Sequence, residues 1–210
     1  MGFYSEFILP CCLDWTMSSP QLASYRQEVL SEVSGEVLEI GFGTGLNLSY
    51  YPQSLTTLTI VDVNPGMNRF AKKRIKNSSI TVDSRILNGE SLPMADNSFD
   101  SIVSTWTLCS ITNVDKALQE IHRVLKPGGK FFFIEHGLSA QPQVQIWQNR
   151  LNPLQKIIGD GCNLNRNIKQ LVEHHLQLVT LDQFYTPKLP KTHGYMYKGV
   201  ATKASAVLKD

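Results

Sequence analysis

Apolar residues along this chain fall into two rhythms. Solid runs of strand length stand at Val37-Leu38-Glu39-Ile40, Leu58-Thr59-Ile60-Val61, Ile80 to Val82 and a little beyond, Phe99 to Thr105, Lys130 to Glu135, Leu178 to Phe184 and Tyr195 to Thr202. Between them apolar residues return every three or four positions. Leu22, Tyr25, Val29 and Val33 make one such set, and Met67, Phe70, Ala71 and Ile75 another. A third comprises Val114, Ala117, Leu118, Ile121, Val124 and Leu125, and a further helix is expected from Ile168 to His175. Runs apolar on both faces suit strands buried between two layers, and the wider spacing suits helices with one buried side. Strands alternating with helices predict an open, mainly parallel α/β sheet.

Start and stop residues refine the boundaries. Ser19 followed by Pro20 opens a helix that Gly35 ends, and Asn64 followed by Pro65 opens another. Leu46 to Tyr51 is predicted as a short helix stopped before Pro52, with Asp96-Asn97-Ser98 as a turn and Lys126-Pro127-Gly128-Gly129 as a helix stop. Residues 136–167 are longer than an ordinary crossover. They carry Trp147, Leu151, Pro153 and Leu154, a set suited to an apolar substrate pocket or to plain packing. Residues 1–35 are read as cap or lid helices and residues 36–210 as the main domain.

Candidate chemistry begins in the turn after the first strand, where glycine recurs at Gly41, Gly43 and Gly45. Without a Cβ a ligand can lie against the backbone, and in open α/β sheets this edge is where nucleotides bind. The dinucleotide fingerprint needs a small residue where Leu46 stands, which counts against a nicotinamide-dependent oxidoreductase. An acid closing the second strand, Asp62, is positioned to accept hydrogen bonds from both ribose hydroxyls of an adenosine.

Charge and cysteine usage narrow the classes. The chain has 210 residues, enough for one domain, with a formal net charge of +2 that gives no strong pull on nucleic acid. Lys72, Lys73, Arg74 and Lys76 read as a solvated helix end. Four cysteines, Cys11, Cys12, Cys109 and Cys162, form no C-x-x-C pair and no zinc-spaced cluster, so neither a metal site nor a disulfide framework is expected. A reducing cytoplasmic setting is the simplest. Signal peptide and bilayer-spanning run are both missing from the pattern. The apolar segment of residues 3–15 suits a lid over the cleft, or peripheral contact with the inner face of a membrane, although it lacks a basic polar face.

Read as E-x-G-x-G-x-G from Glu39, the glycine stretch resembles the first motif of the class I S-adenosylmethionine (SAM) methyltransferases. Leu-Pro-Met-Ala-Asp-Asn-Ser-Phe-Asp from Leu92 and Leu-Lys-Pro-Gly-Gly-Lys from Leu125 extend the resemblance to the quinone- and lipid-methylating branch. Ser-Thr-Trp-Thr-Leu-Cys-Ser-Ile from Ser104, Phe-Ile-Glu-His-Gly from Phe133 and Asp-Gly-Cys-Asn-Leu-Asn-Arg from Asp160 look like a bacterial branch related to the animal alkyl-thiol methyltransferases. This likeness runs from about Val37 to Lys203.

The resemblance implies a Rossmann-like class I fold: a seven-stranded, mostly parallel sheet with an antiparallel last strand and helices on both faces. It implies SAM as cofactor and S-adenosyl-L-homocysteine as product. Glu39 would bond the methionine end, Gly41, Gly43 and Gly45 make room for the ribose, and Asp62 hold its hydroxyls. Asn88 stands where relatives carry an acid for the adenine amino group, with Gly89 and Glu90 beside it, and Ser104 joins the cofactor residues. The D/N-P-P-Y/F motif of amino-methylating enzymes acting on adenine or glutamine is missing after the fourth strand. A small, apolar acceptor is therefore expected, a thiol ahead of a quinone or lipid amine, with a non-catalytic SAM-binding protein as the remaining reading. His136 is the candidate base or acceptor-orienting group, and Asp160 the candidate acceptor contact. Cys109 and Cys162 are read as structural, His122 as a surface or satisfied residue, and His174, His175 and His193 are unassigned. The membrane anchor of the animal enzymes is not expected to carry over.

Overall fold

A computed structural model describes residues 7–64 and 68–204. Two helices lead, α1 (Leu9–Met17) and α2 (Pro20–Leu30), followed by β1 (Val37–Ile40), a 3-10 turn (Leu46–Ser49), β2 (Thr57–Asp62), α3 (Asn68–Lys76), β3 (Thr81–Ile86) and β4 (Phe99–Thr105). Then come α4 (Val114–Val124), β5 (Leu125–His136), α5 (Pro142–Ile158), α6 (Ile168–His175), β6 (Gln177–Tyr185) and β7 (Tyr195–Thr202). The seven strands form one sheet in the order β3-β2-β1-β4-β5-β7-β6, with β7 antiparallel to both neighbours and the others parallel.

The solid apolar strands are explained by a core on each face. Pleating sends alternate side chains to opposite sides. Leu38, Ile40, Ile102, Phe131 and Phe133 pack with α4 and α6 on one side. Val37, Val103, Phe132 and Ile134 pack with α2, the 3-10 turn and α3 on the other. Polar side chains can be caught between these two cores, and Glu39 of β1, Ser104 of β4 and Glu135 of β5 are all buried.

Several boundaries differ from the sequence expectation. Of residues 46–51 only Leu46–Ser49 wind, as a single 3-10 turn, because Asn47 and Tyr51 are drawn inward to Glu39, and Pro52 halts further winding. The helix from Ser19 ends at Leu30, short of Gly35, and Ser34 is tied across to β4, its N–H and carbonyl both engaging the Ser101 hydroxyl. β5 takes in the Lys-Pro-Gly-Gly stretch, with an irregular register between Phe99 and Ser101 of its partner. Residues 136–167 hold the long helix α5. Residues 1–6, and with them the first four residues of the apolar opening, lie outside the described residues, as do Pro65 and Met67. Among the described residues no helix is long and apolar enough to cross a membrane.

Candidate active site

Strand order reverses between β1 and β4, the position where open α/β sheets bind ligands beyond their carboxyl ends. A cleft of ≈ 330 Å³ opens there. Its walls are the loops leaving β1 to β4, namely Gly41 to Thr44, Asp62 to Asn64, Leu87 to Glu90, Thr105 to Thr107 and Ser110 to Thr112, together with Leu9, Leu13 and Met17 of α1, Arg26 of α2, and Gly159 and Asp160 after α5. α1 is pinned over this opening by the Asp14 carboxylate, which accepts from Arg74 Nη1 at 2.7 Å, while the same nitrogen donates to the Thr44 carbonyl at 2.8 Å. That guanidinium holds the Asp14 carboxyl below its ordinary range although burial opposes it.

The glycine turn is demanded by the backbone. Gly41 has φ +75°, and a Cβ there would come within 2.0 Å of Thr107 Oγ1. Gly43 has φ +58° and nothing within 4 Å of the Cβ position, so its backbone faces open cleft. Asp62 braces the turn: Oδ2 accepts from Gly43 N at 2.7 Å and Oδ1 from Asn64 N at 2.8 Å. Burial pushes the Asp62 carboxyl up, against these N–H donors.

Other sequence-selected residues divide. Asn88, Gly89 and Glu90 line the cleft, where Asn88 Oδ1 accepts from Glu90 N at 3.0 Å and Glu90 Oε1 accepts from Asn113 N at 2.9 Å. Asp160 lines it too, exposed and at φ +48°. Gly45, at φ +81°, stands beneath the turn against the Phe42 ring. Glu39 is only 1% exposed. It lies under the floor, accepting from Asn47 Nδ2 at 2.8 Å and Tyr51 OH at 2.7 Å. Ser104 is fully buried and donates to Glu135 Oε1 at 3.0 Å, so it cannot touch a ligand in the cleft. His136, expected at the cleft edge, closes β5 as a buried side chain with Nε2 3.3 Å from Cys162 Sγ, and it is not among the lining residues. The strand carries its last residue inward, because β7 pairs alongside as far as His136.

Two residues that sequence reasoning missed shape the cleft. Arg26 is 4% exposed, donates from Nη1 to the Met17 carbonyl at 2.8 Å and lies 4.7 Å over the Trp106 ring. Desolvation brings its pKa down to about 10. The available signal was its place in the helix, four residues after Leu22 on the apolar stripe. Glu135 is the other: its carboxylate accepts from Thr107 N and Leu108 N, both at 2.9 Å, holding the loop in which Trp106 adopts φ +50°.

Residues 38–133 match the family described as "Methyltransferase domain". The chain is 39% identical over 168 residues to the thiol S-methyltransferase TMT1B of Rattus norvegicus, an alignment spanning 74% of this chain and 68% of that one. The chain belongs to the class I SAM-dependent methyltransferases. The methyltransferase is also 39% identical over 111 residues to the ubiquinone/menaquinone biosynthesis C-methyltransferase UbiE of Hydrogenovibrio crunogenus, covering 50% of this chain and 44% of that one. Among solved structures, the N-methyltransferase NodS of Bradyrhizobium japonicum in complex with S-adenosyl-L-homocysteine superposes with a TM-score of 0.66 at 18% identity, over 90% of this chain and 91% of that one. At that identity the likeness speaks for the fold.

The cleft fits the cofactor of this family. Among the described residues, three buried polar atoms of cleft-lining side chains have no protein partner: two donors, Arg26 Nε and Trp106 Nε1, and an acceptor, Asn47 Oδ1. Such atoms cost free energy unless a ligand meets them, and Arg26 Nε with Asn47 Oδ1 matches the carboxylate and ammonium of an amino acid.

Glu39 beneath them gives a pH signature. Burial pushes its pKa up to about 7 from 4.5. The folded state therefore holds a proton that the unfolded chain has released, so this contribution is full below about pH 4.5 and is lost as pH rises through 7. Glu39→Gln keeps an acceptor for Asn47, and Tyr51 OH can turn to accept from the new amide. Relative to that variant, the wild type is expected to lose about 3 kcal/mol of unfolding free energy between those two pH values. Parallel urea titrations check this; a pH-independent difference would remove the buried-proton reading.

Proposed function

We propose that this methyltransferase transfers the methyl group of SAM to a small apolar thiol. The observation that carries the reading is the make-up of the cleft. Among the described residues no histidine, lysine or cysteine lines it. Its titratable acids are the carboxylates of Asp62, Glu90 and Asp160, with no imidazole, amine or thiol beside them, and such a wall suits an acceptor that ionises with little help, as a free thiol does at about pH 8.5. Leu9, Leu13, Met17 and Ile111 supply apolar surface beside the Trp106 loop. The rat relative's name points to the same acceptor.

Bound SAM supplies a methyl group already activated by its sulfonium. The residues of this chain then have to align and shield. Asp62 accepts from the ribose hydroxyls, and the open backbone at Gly43 admits the sugar. Asn88, with Gly89 and Glu90, faces the adenine edge. Arg26 takes the methionine carboxylate and Asn47 its ammonium, Asn47 being oriented by Glu39. Arg26→Met, which keeps the apolar stem, is expected to weaken S-adenosyl-L-homocysteine binding about tenfold in a calorimetric titration; unchanged affinity would separate Arg26 from the cofactor. α1 acts as a lid that excludes water from the reacting centre. Asp160, at the mouth, repels anionic acceptors, so the thiol enters neutral and gives its proton to solvent.

Tritiated-methyl transfer to a panel of neutral and carboxylated alkyl thiols, with a quinol alongside, tests this. Neutral thiols are expected as substrates, with kcat/KM rising about tenfold per pH unit below the thiol pKa. Carboxylated thiols should react several-fold more slowly, a gap that Asp160→Asn closes by about 1 kcal/mol. Transfer to the quinol but to no thiol would overturn the acceptor assignment and favour the chemistry in the name of the UbiE relative.

A further inference from the structure

The fold brings together three side chains that the cleft does not use. Cys109 follows β4, His136 ends β5 and Cys162 follows α5, yet their two sulfurs and one ring nitrogen lie within 4.8 Å of one another. His136 Nε2 stands 3.3 Å from Cys162 Sγ. Cys109 and His136 are buried, and Cys162 is half-buried.

We propose that Cys109, His136 and Cys162 form a binding site for a thiophilic divalent cation, Zn²⁺. Zinc takes sulfur at about 2.3 Å and imidazole nitrogen at about 2.0 Å in a tetrahedron, which separates ligand atoms by about 3.5 to 3.8 Å. The observed spacing needs only small side-chain shifts to reach that. Two thiolates and a neutral imidazole are a known zinc donor set, and three protein ligands leave the fourth position to water. Binding breaks the two S–H bonds, forms two Zn–S bonds and one Zn–N bond, and passes two protons to solvent. The resulting centre is electrically neutral, which a buried position tolerates.

The surroundings hold the ligands in place before any metal arrives. The Cys109 carbonyl accepts from Asn163 N at 2.9 Å and from Asn163 Nδ2 at 3.0 Å, so the backbones carrying both cysteines are already tied. Gln155 Nε2 donates to Cys162 Sγ at 3.5 Å, a contact that favours the thiolate. Arg166 donates to the carbonyls of Leu108 and Ile111, fixing the same loop from the other side. Cys109 N–H meets Glu135 Oε2 at 3.4 Å. Ser110 and Gly159, neighbours of this cluster in the chain and in space, line the cleft. A metal here would brace the wall of the cleft between the loop after β4 and the segment after α5.

Co²⁺ titration of the whole, reduced protein tests the site without SAM or acceptor, so its outcome is independent of the proposed reaction. One equivalent is expected to give a sulfur-to-cobalt charge-transfer band in the near ultraviolet that Zn²⁺ abolishes. Cys109→Ser, His136→Gln and Cys162→Ser should each weaken Zn²⁺ binding by at least about 100-fold in competition with a chromophoric chelator. Replacing the exposed Cys11 and Cys12 by serine should leave the band intact. A folded wild type that shows no such band overturns the proposal, whatever the variants do. So does a band that survives Cys162→Ser or vanishes with Cys11 and Cys12.

Discussion

Asp62→Ala is expected to lower the affinity for S-adenosyl-L-homocysteine by about 100-fold or more, because two hydrogen bonds to a charged acceptor are lost at about 1.5–3 kcal/mol each. The fold should survive. Asp62 has two opposed effects on stability: it braces Gly43 N and Asn64 N, while its buried charge is disfavoured enough to raise its pKa. Removing both leaves the unfolding free energy within about 1–2 kcal/mol of wild type. Asp62→Asn keeps an acceptor oxygen and discards the charge, so its affinity should fall about tenfold, between the two. Because the carboxylate is the binding form, wild-type affinity should also decline on acidification at a pH above the ordinary 3.8 of an aspartate. Calorimetric titration of the three proteins, with urea unfolding beside it, reads all of this. Equal affinity for wild type and Asp62→Ala would show that the cofactor's ribose lies elsewhere.

The sheet was legible because its central strands are apolar on both faces, and only a cover of helices on each side makes that pattern soluble. α6 and β7 begin and end where the periodicity put them. The glycine turn and Asp62 were legible for a related reason: a positive φ and a strand-end acid are local properties of the sequence. Glu39 was visible but its depth was not. An acid in a buried strand is drawn to whatever donors lie beneath the turn, and these proved to be Asn47 and Tyr51. Ser104 and His136 were misplaced in the same way, since which side of a pleated strand faces the cleft depends on the final loop geometry. Cys109, His136 and Cys162 could not be grouped at all. They are 27 and 26 residues apart, and ligand spacing reveals a site only when the ligands share one local turn.

Glu135 is where the largest effect on stability is expected. Its carboxylate takes no part in the cleft lining, yet Oε1 accepts from Ser104 Oγ at 3.0 Å and from Thr107 N and Leu108 N at 2.9 Å, with Cys109 N at 3.4 Å from Oε2. Burial pushes this carboxyl up, and the backbone N–H donors oppose the shift. Glu135→Ala leaves these N–H groups without partners in a dry interior, which costs on the order of 3–5 kcal/mol. Against a typical total of about 5–15 kcal/mol the variant should be marginal, melting about 10–20 °C lower. Trp106, a bulky residue at φ +50°, depends on the same brace, as that conformation persists only where its surroundings impose it. The loop that forms the reacting wall should therefore loosen before the sheet does, and methyl transfer should fall further than cofactor binding. Glu135→Gln retains an oxygen for the Oε1 donors and misplaces only an amide beside Cys109 N, so it should recover most of the stability. Thermal melts and kcat measured on both variants decide the matter. An alanine variant that melts with the wild type would mean that water replaces the carboxylate and that Arg166 and Asn163 suffice to hold the loop after β4.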